Sequence, residues 1–260
     1  MHDIAMPRFG KIQPSNPARV AFGLSVRQIK FLDSIIQLCE NGNAEAANLL
    51  TRSMFETTLA TQFVTRPSWQ HRVGERFARK HNLTKRIFRP TSDQRADIYV
   101  CFLEHQRETH ARKIRSQKGL VRIGDLIGKS FDANILTQLK NRVGSDWETI
   151  QRESGSYCGL SIKDMAKKCG FAAYHAAVYH LHSDNVHSVD LDSYVEINEQ
   201  GDWNALWSSP AKKVDGSLHV ACMVFGVHFA IVSKNLGLGG AVPMLLSSFA
   251  TELAEIQPVD

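Results

Sequence analysis

The chain has 260 residues, 43 % of them hydrophobic and 22 % charged, values ordinary for a soluble globular protein and enough for a substantial core. Its five cysteines (Cys39, Cys101, Cys158, Cys169 and Cys222) are odd in number and form no CxxC pair, which argues against a disulfide framework or a thiolate zinc site and favours a reducing cytoplasm. The net charge of +5 is unevenly spread: Arg66 to Arg122 holds fifteen Lys/Arg against five Asp/Glu, and the rest of the chain is net acidic. Such a basic lobe attracts RNA or DNA, although a set of solvated helix faces has the same composition.

Residues 1–24 carry three prolines and little pattern and read as a loose arm ahead of a single all-α domain over 25–260. Within the arm, the first seventeen residues lack the apolar core of a signal peptide, so a cytoplasmic location is expected. A helix is predicted from Ser25, a plausible N-cap, with Ile29, Leu32, Ile35, Ile36 and Cys39 at helical spacing. Asn41-Gly42 stops it. A second helix follows from Asn43 and ends at Thr65-Arg66-Pro67. Further helices are predicted over Ser68–Lys80 and from Ser92 to about Ile114, then a loop to Lys129, then helical pieces over Asp132–Arg142 and near Trp147–Glu153. Ser161 and Asp164 form a near capping box for a short helix that Gly170 closes. After the next helix, YVEINEQGDW alternates as a strand does and predicts a small hairpin or an irregular excursion. Two helices end the chain, near 216–235 and 242–256. The apolar run Leu218–Val232 contains two histidines and a glycine and reads as a buried helix rather than a membrane span.

The chain is organised around Phe171–His187, FAAYHAAVYHLHSDNVH. His175, Tyr179, Ser183 and His187 step by four and share a helix face, with His182 beside them. On the second helix, Arg52 and Glu56 are also four apart. As a surface ion pair they contribute only tenths of a kcal/mol. Their helix is heavily apolar, however, and a charged pair there is expected to reach another polar group, for which the Tyr179 stripe is the candidate. His187 suits proton transfer near neutral pH, and the planar fork of Arg52 suits a phosphate. Ser183 reads as a positioning group, because i,i+4 geometry on one helix rarely aims a base at a serine hydroxyl.

The chain has no HExxH and no completed His/Cys/Asp/Glu set, so neither a metal nor a cofactor is expected. The basic lobe offers Arg72, Arg76, Arg79, Lys80, Lys85, Arg86 and Arg89 as nucleic-acid contacts, with Trp69 and His71 nearby. Metal-independent helical ribonucleases of the HEPN (higher eukaryote and prokaryote nucleotide-binding) class use Arg, four to six residues, then His. Arg66-PSWQ-His71 and Arg76-FARK-His81 match that spacing, as chance alone allows in a chain with eleven histidines. His182-SDNV-His187 has the spacing with His in place of Arg, so Arg52 would have to supply the cation.

Taken together, LLTRSMFE, GLSIKDMAKKCG and YHLHSDNVH resemble the bacterial family catalogued as domain of unknown function 5677, over roughly residues 30–255. The family's polar positions fall on Arg52, Ser53, Glu56, Ser161, Tyr179, Ser183 and His187. The resemblance implies an all-α, HEPN-like helical bundle, of a class that commonly dimerises. The leading expectation is an RNA-directed role, as a metal-independent endoribonuclease in phage defence. Two other readings stand beside it: a non-catalytic binding module for nucleic acid or protein, and a small-molecule or nucleotide sensor.

Overall fold

A computed structural model describes residues 16–117, 121–123, 125, 137, 141–186, 195–197, 203–205, 209 and 211–237, with 180–186 and the strands of 195–205 described by backbone alone. The described elements are α1 (Asn16–Glu40), α2 (Ala44–Thr65), β1 (His71–Arg72), α3 (Glu75–Lys80), β2 (Ile87–Phe88), α4 (Ser92–Arg115), α5 (Ser145–Ser154), α6 (Ile162–Cys169), α7 (Ala172–Val186), β3 (Val195–Ile197), β4 (Trp203–Ala205) and α8 (Ala211–Leu236). The fold is all-α, and the strands among the described residues are two minimal antiparallel pairs. The predicted hairpin after α7 is one of them, pairing Val195 with Ala205 and Ile197 with Trp203. The chain divides into two compact units, residues 1–20 with 63–161 and residues 21–62 with 162–260.

Local chemistry explains the turns. After α1, Gly42 takes φ 68°, and the Asn43 N–H reaches back to the Leu38 carbonyl at 2.8 Å, closing the helix with a left-handed cap. Asn43 then caps α2, its side chain accepting from the Ala46 N–H at 3.1 Å. Thr91 and Gln94 form a capping box at the start of α4. Gly170 (φ 83°) closes α6 as expected, with the Phe171 N–H 2.7 Å from the Ala166 carbonyl.

Four expectations are corrected. Residues 16–24 are helical rather than part of an arm, and Pro17 is tolerated because it sits in the first turn of α1. Ser25 therefore lies inside α1, where its hydroxyl donates to the Ala21 carbonyl at 2.9 Å instead of capping. The predicted helix over Ser68–Lys80 is helical only from Glu75. Trp69, His71 and Val73 are buried while Gln70 and Arg72 are exposed, a two-residue period that makes this stretch extended. Residues 121–123, read as loop, are helical. The last predicted helix lies outside the described residues.

In the unit of residues 63–161 the core is aromatic. Tyr157 meets Phe63, Tyr99 and Phe102 with ring centroids 5.2–5.9 Å apart, and Trp147 meets His71 and Phe88 at 5.6 and 5.5 Å. Gln151 ties α5 inward by donating to the carbonyls of Ile98 and Tyr157. Gly159 comes close to this core at φ +73°, and a Cβ there would lie 2.6 Å from Ile150 Cγ2 and 3.0 Å from His71 Nε2. Gly159→Ala is therefore expected to cost about 1–3 kcal/mol, read as a lower urea midpoint with unchanged m-value.

In the other unit, α7 packs on α6 and α8. Helix α8 has 26 residues, more than the apolar run predicted, and is long and apolar enough to cross a membrane by length and composition. Within its unit it buries Val220, Val224, Phe225, Phe229 and Val232 together with His228.

Candidate functional site

Helix α2 presents Arg52, Phe55 and Glu56 on adjoining faces, and α7 presents His175 and Tyr179 one turn apart. These five side chains meet in the unit of residues 21–62 and 162–260. The Tyr179 hydroxyl donates to Glu56 Oε1 at 2.6 Å across 123 residues of sequence. Arg52 Nε donates to the same oxygen at 3.3 Å, and the Arg52 guanidinium carbon lies 4.4 Å from the Tyr179 ring centroid. The His175 ring stacks on Tyr179, with centroids 4.5 Å apart and planes 9° from parallel. Phe55, fully buried, meets both rings edge-on at 6.4 and 6.5 Å.

One carboxylate oxygen therefore fixes both a phenol and a guanidinium. Burial, and then the bond to Glu56, push the Tyr179 hydroxyl above the usual phenol range, so it stays a neutral donor. For Arg52, burial works against the charge, but Tyr179 and Glu56 outweigh it and raise its pKa. The Arg52 and Glu56 side chains remain 43 % and 41 % exposed. The arrangement is thus a half-open guanidinium held in place from two sides. It can take an anionic oxygen from solvent without reorganising.

Of the residues singled out from sequence, the structure brings Arg52, Glu56 and Tyr179 together. The side chains of His182 and Ser183, and the whole of His187, lie outside the described residues. All seven basic-lobe candidates (Arg72, Arg76, Arg79, Lys80, Lys85, Arg86 and Arg89) are exposed. Arg79 and Arg86 pair with Glu75 at 2.5 and 3.5 Å, and Arg89 donates to Gln70 at 3.1 Å. The two Arg-x4-His matches lead into packing instead: His71 is buried against Trp147, and His81 lies on Phe77 and 3.8 Å from Glu153. Among the described residues, no group of three His, Cys, Asp or Glu is placed to hold a metal ion.

The sequence places His175 on the Tyr179 face without giving it a role, and Phe55 is not among its candidates. The signal for His175 was present, since it lies four residues before Tyr179. Nothing local marks Phe55, whose place depends on α7 crossing α2.

A family model described as a family of unknown function (DUF5677) matches residues 18–202. The chain belongs to this family. The DUF5677 match spans α1 to the start of the second hairpin and includes Arg52, Glu56, Ser161 and Tyr179. It stops before α8, short of the residue 255 to which the sequence resemblance was drawn. No curated protein and no solved structure matches the chain.

Proposed function

We propose that this DUF5677 protein acts on RNA as an endoribonuclease whose phosphate anchor is Arg52. The observation that carries the reading is the convergence of Arg52, Glu56 and Tyr179 on one carboxylate oxygen, which orients a half-exposed guanidinium. In the reaction, Arg52 binds the scissile phosphate, with Glu56 and Tyr179 as positioning residues. His187, eight positions after Tyr179 in sequence, takes the proton of the 2′-hydroxyl as that oxygen attacks phosphorus. A new O–P bond forms, the bond to the 5′-oxygen breaks, and the leaving oxygen receives a proton. HEPN-like kinship, homodimerisation, a cytoplasmic location and a place in phage defence belong to the same reading.

Cleavage of a fluorescent single-stranded RNA tests it. His187→Ala is expected to slow cleavage by about 10²–10⁴-fold, the usual contribution of a general acid or base. Arg52→Ala should raise KM and lower kcat together. Tyr179→Phe should cost less, by roughly tenfold or below, since one positioning bond is lost for about 1 kcal/mol. Chelator should leave the rate unchanged. A wild-type protein that cleaves no RNA, or His187→Ala with full activity, overturns the nuclease.

A second reading is favoured by a separate observation, the exposure of all seven basic residues between Arg72 and Arg89. Here the protein binds RNA without cutting it. Affinity would fall steeply with salt, and each charge-reversal in that stretch would reduce the salt slope by about one unit.

A further inference from the structure

The unit of residues 63–161 contains a cleft of about 290 Å³ between the β2–α4 connection and the start of α5. No step of the proposed reaction uses it. Three cations line it: Lys85, Arg89 and Arg142. All three are exposed. Partners hold two of them without covering them: Arg89 Nε donates to Gln70 at 3.1 Å, and Arg142 lies 3.4 Å from Asp97 while staying 53 % exposed. The carboxylate among the lining residues, Asp146, is already engaged by the Thr84 backbone N–H at 3.1–3.2 Å and by the Thr84 hydroxyl. It keeps its charge, so the lining carries three cations against one carboxylate. Helix α5 opens on the same cleft at Gly144 (φ 85°), and no side chain caps it. Its first N–H groups and dipole add to the attraction for an anion.

The rest of the wall is apolar: Phe88, Ile98, Val143 and Trp147. The indole nitrogen of Trp147 is buried there without a hydrogen-bond partner. Cations at the rim and rings in the wall suit a ligand with an anionic end and a flat or apolar body. The volume matches a mononucleotide and is several times that of a bare phosphate.

We propose that this cleft binds a mononucleotide-sized phosphate ester, its phosphate held by Lys85, Arg89 and Arg142 and its organic part against Phe88 and Trp147. The proposal does not rest on the RNA cleavage reading, because its residues and those of the Arg52 cluster are separate.

The test titrates the full chain with inorganic phosphate, with 5′-AMP and 5′-UMP, and with a hydroxyl-ended RNA decamer, by calorimetry and tryptophan fluorescence. At least one mononucleotide is expected to bind ten or more times tighter than inorganic phosphate and to change the emission, a change that Trp147→Phe removes. Lys85→Glu with Arg89→Glu should weaken that binding at least tenfold; both residues are exposed, and an unchanged melting temperature confirms the fold. Arg52→Ala should leave it unaltered. The proposal is overturned by no mononucleotide binding at millimolar concentration, by equal affinity for phosphate, or by indifference to the double charge reversal. Binding of the decamer alone, with dependence on Lys85 and Arg89, also overturns it and assigns the cleft to an RNA track.

Discussion

Arg95→Met is expected to lower the unfolding free energy by about 3–5 kcal/mol, as carbonyls left buried without a donor cost roughly 1–3 kcal/mol each. Arg95 is 1 % exposed. Its guanidinium donates to the carbonyls of Phe63 at 2.5 Å and Pro90 at 2.7 Å, to that of Arg66, and more weakly to that of Val64 at 3.5 Å. Phe63 and Val64 belong to the last turn of α2, whose final carbonyls have no partner within the helix. A cation at this end also meets the negative pole of the helix. The charge is costly to bury: burial, and then the nearby Arg66, bring the Arg95 pKa down to about 10. It remains charged at neutral pH all the same, because the carbonyls replace its water. Methionine fills the space and satisfies none of them. Lysine has the charge but no fork, so Arg95→Lys should recover less than half of the loss. Urea unfolding of the three proteins gives the comparison, and a loss below about 1 kcal/mol for Arg95→Met would show that water takes over the carbonyls.

Acid should unfold this protein in a window set by His228. The ring is fully buried on α8, and its contacts define its tautomer. Ser25 Oγ gives its own hydrogen to the Ala21 carbonyl, so it accepts from the ring, while Gln28 Nε2 lies 3.3 Å from Nδ1. The ring Nε2 then carries the hydrogen and donates to Ser25 Oγ at 3.0 Å. Gln28 is itself fixed by the Met54 carbonyl at 2.8 Å and Thr58 Oγ1 at 2.9 Å. Every partner among the described residues is neutral and none offers a carboxylate, and burial pushes the His228 pKa down to about 3 from 6.5. A histidine with a depressed folded pKa favours the folded state in its neutral form. Its contribution is complete above the unfolded pKa and is lost as pH falls from 6.5 towards 3. The slope is about 1.4 kcal/mol per pH unit, so roughly 2–3 kcal/mol disappears between pH 6.5 and 4.5. His228→Met is expected to be less stable at pH 7.5, because Ser25 and Gln28 lose a partner. Its stability should, however, vary less over pH 6.5–5, before carboxylates titrate. Equal slopes in the two proteins would mean that the ring finds water on protonation.

Both predictions concern residues that the sequence disguises. Arg95 sits in the most basic part of the chain and reads there as one more solvated cation. Only the end of α2 makes it a cap. His228 falls in an apolar run, which correctly announced burial but said nothing of Ser25 and Gln28, some 200 residues earlier. Ser25 was itself misread as an N-cap, because serine before an apolar periodic stretch serves equally well inside a helix when it can donate to the carbonyl four residues back. The stretch Trp69–Val73 misled for a related reason. Five residues allow both a helical and an alternating pattern, and the packing of Trp69 on Phe63 and of His71 on Trp147 selects the second.

By itself the sequence determined what depends on neighbours within about five residues: the helices, their glycine closures, the Asn43 cap and the i,i+4 placement of Arg52 with Glu56 and of His175 with Tyr179. The backbone hydrogen bonds and side-chain faces of a helix are local, so their signals survive without the fold. The tertiary structure alone decided that Glu56 receives Tyr179 across 123 residues, that Arg95 closes α2, and that a basic cleft forms at α5. Those outcomes depend on which helix faces are driven together by burial. Burial rewards contact between any apolar surfaces, so the polar groups that meet beside them are fixed by packing rather than by their own spacing.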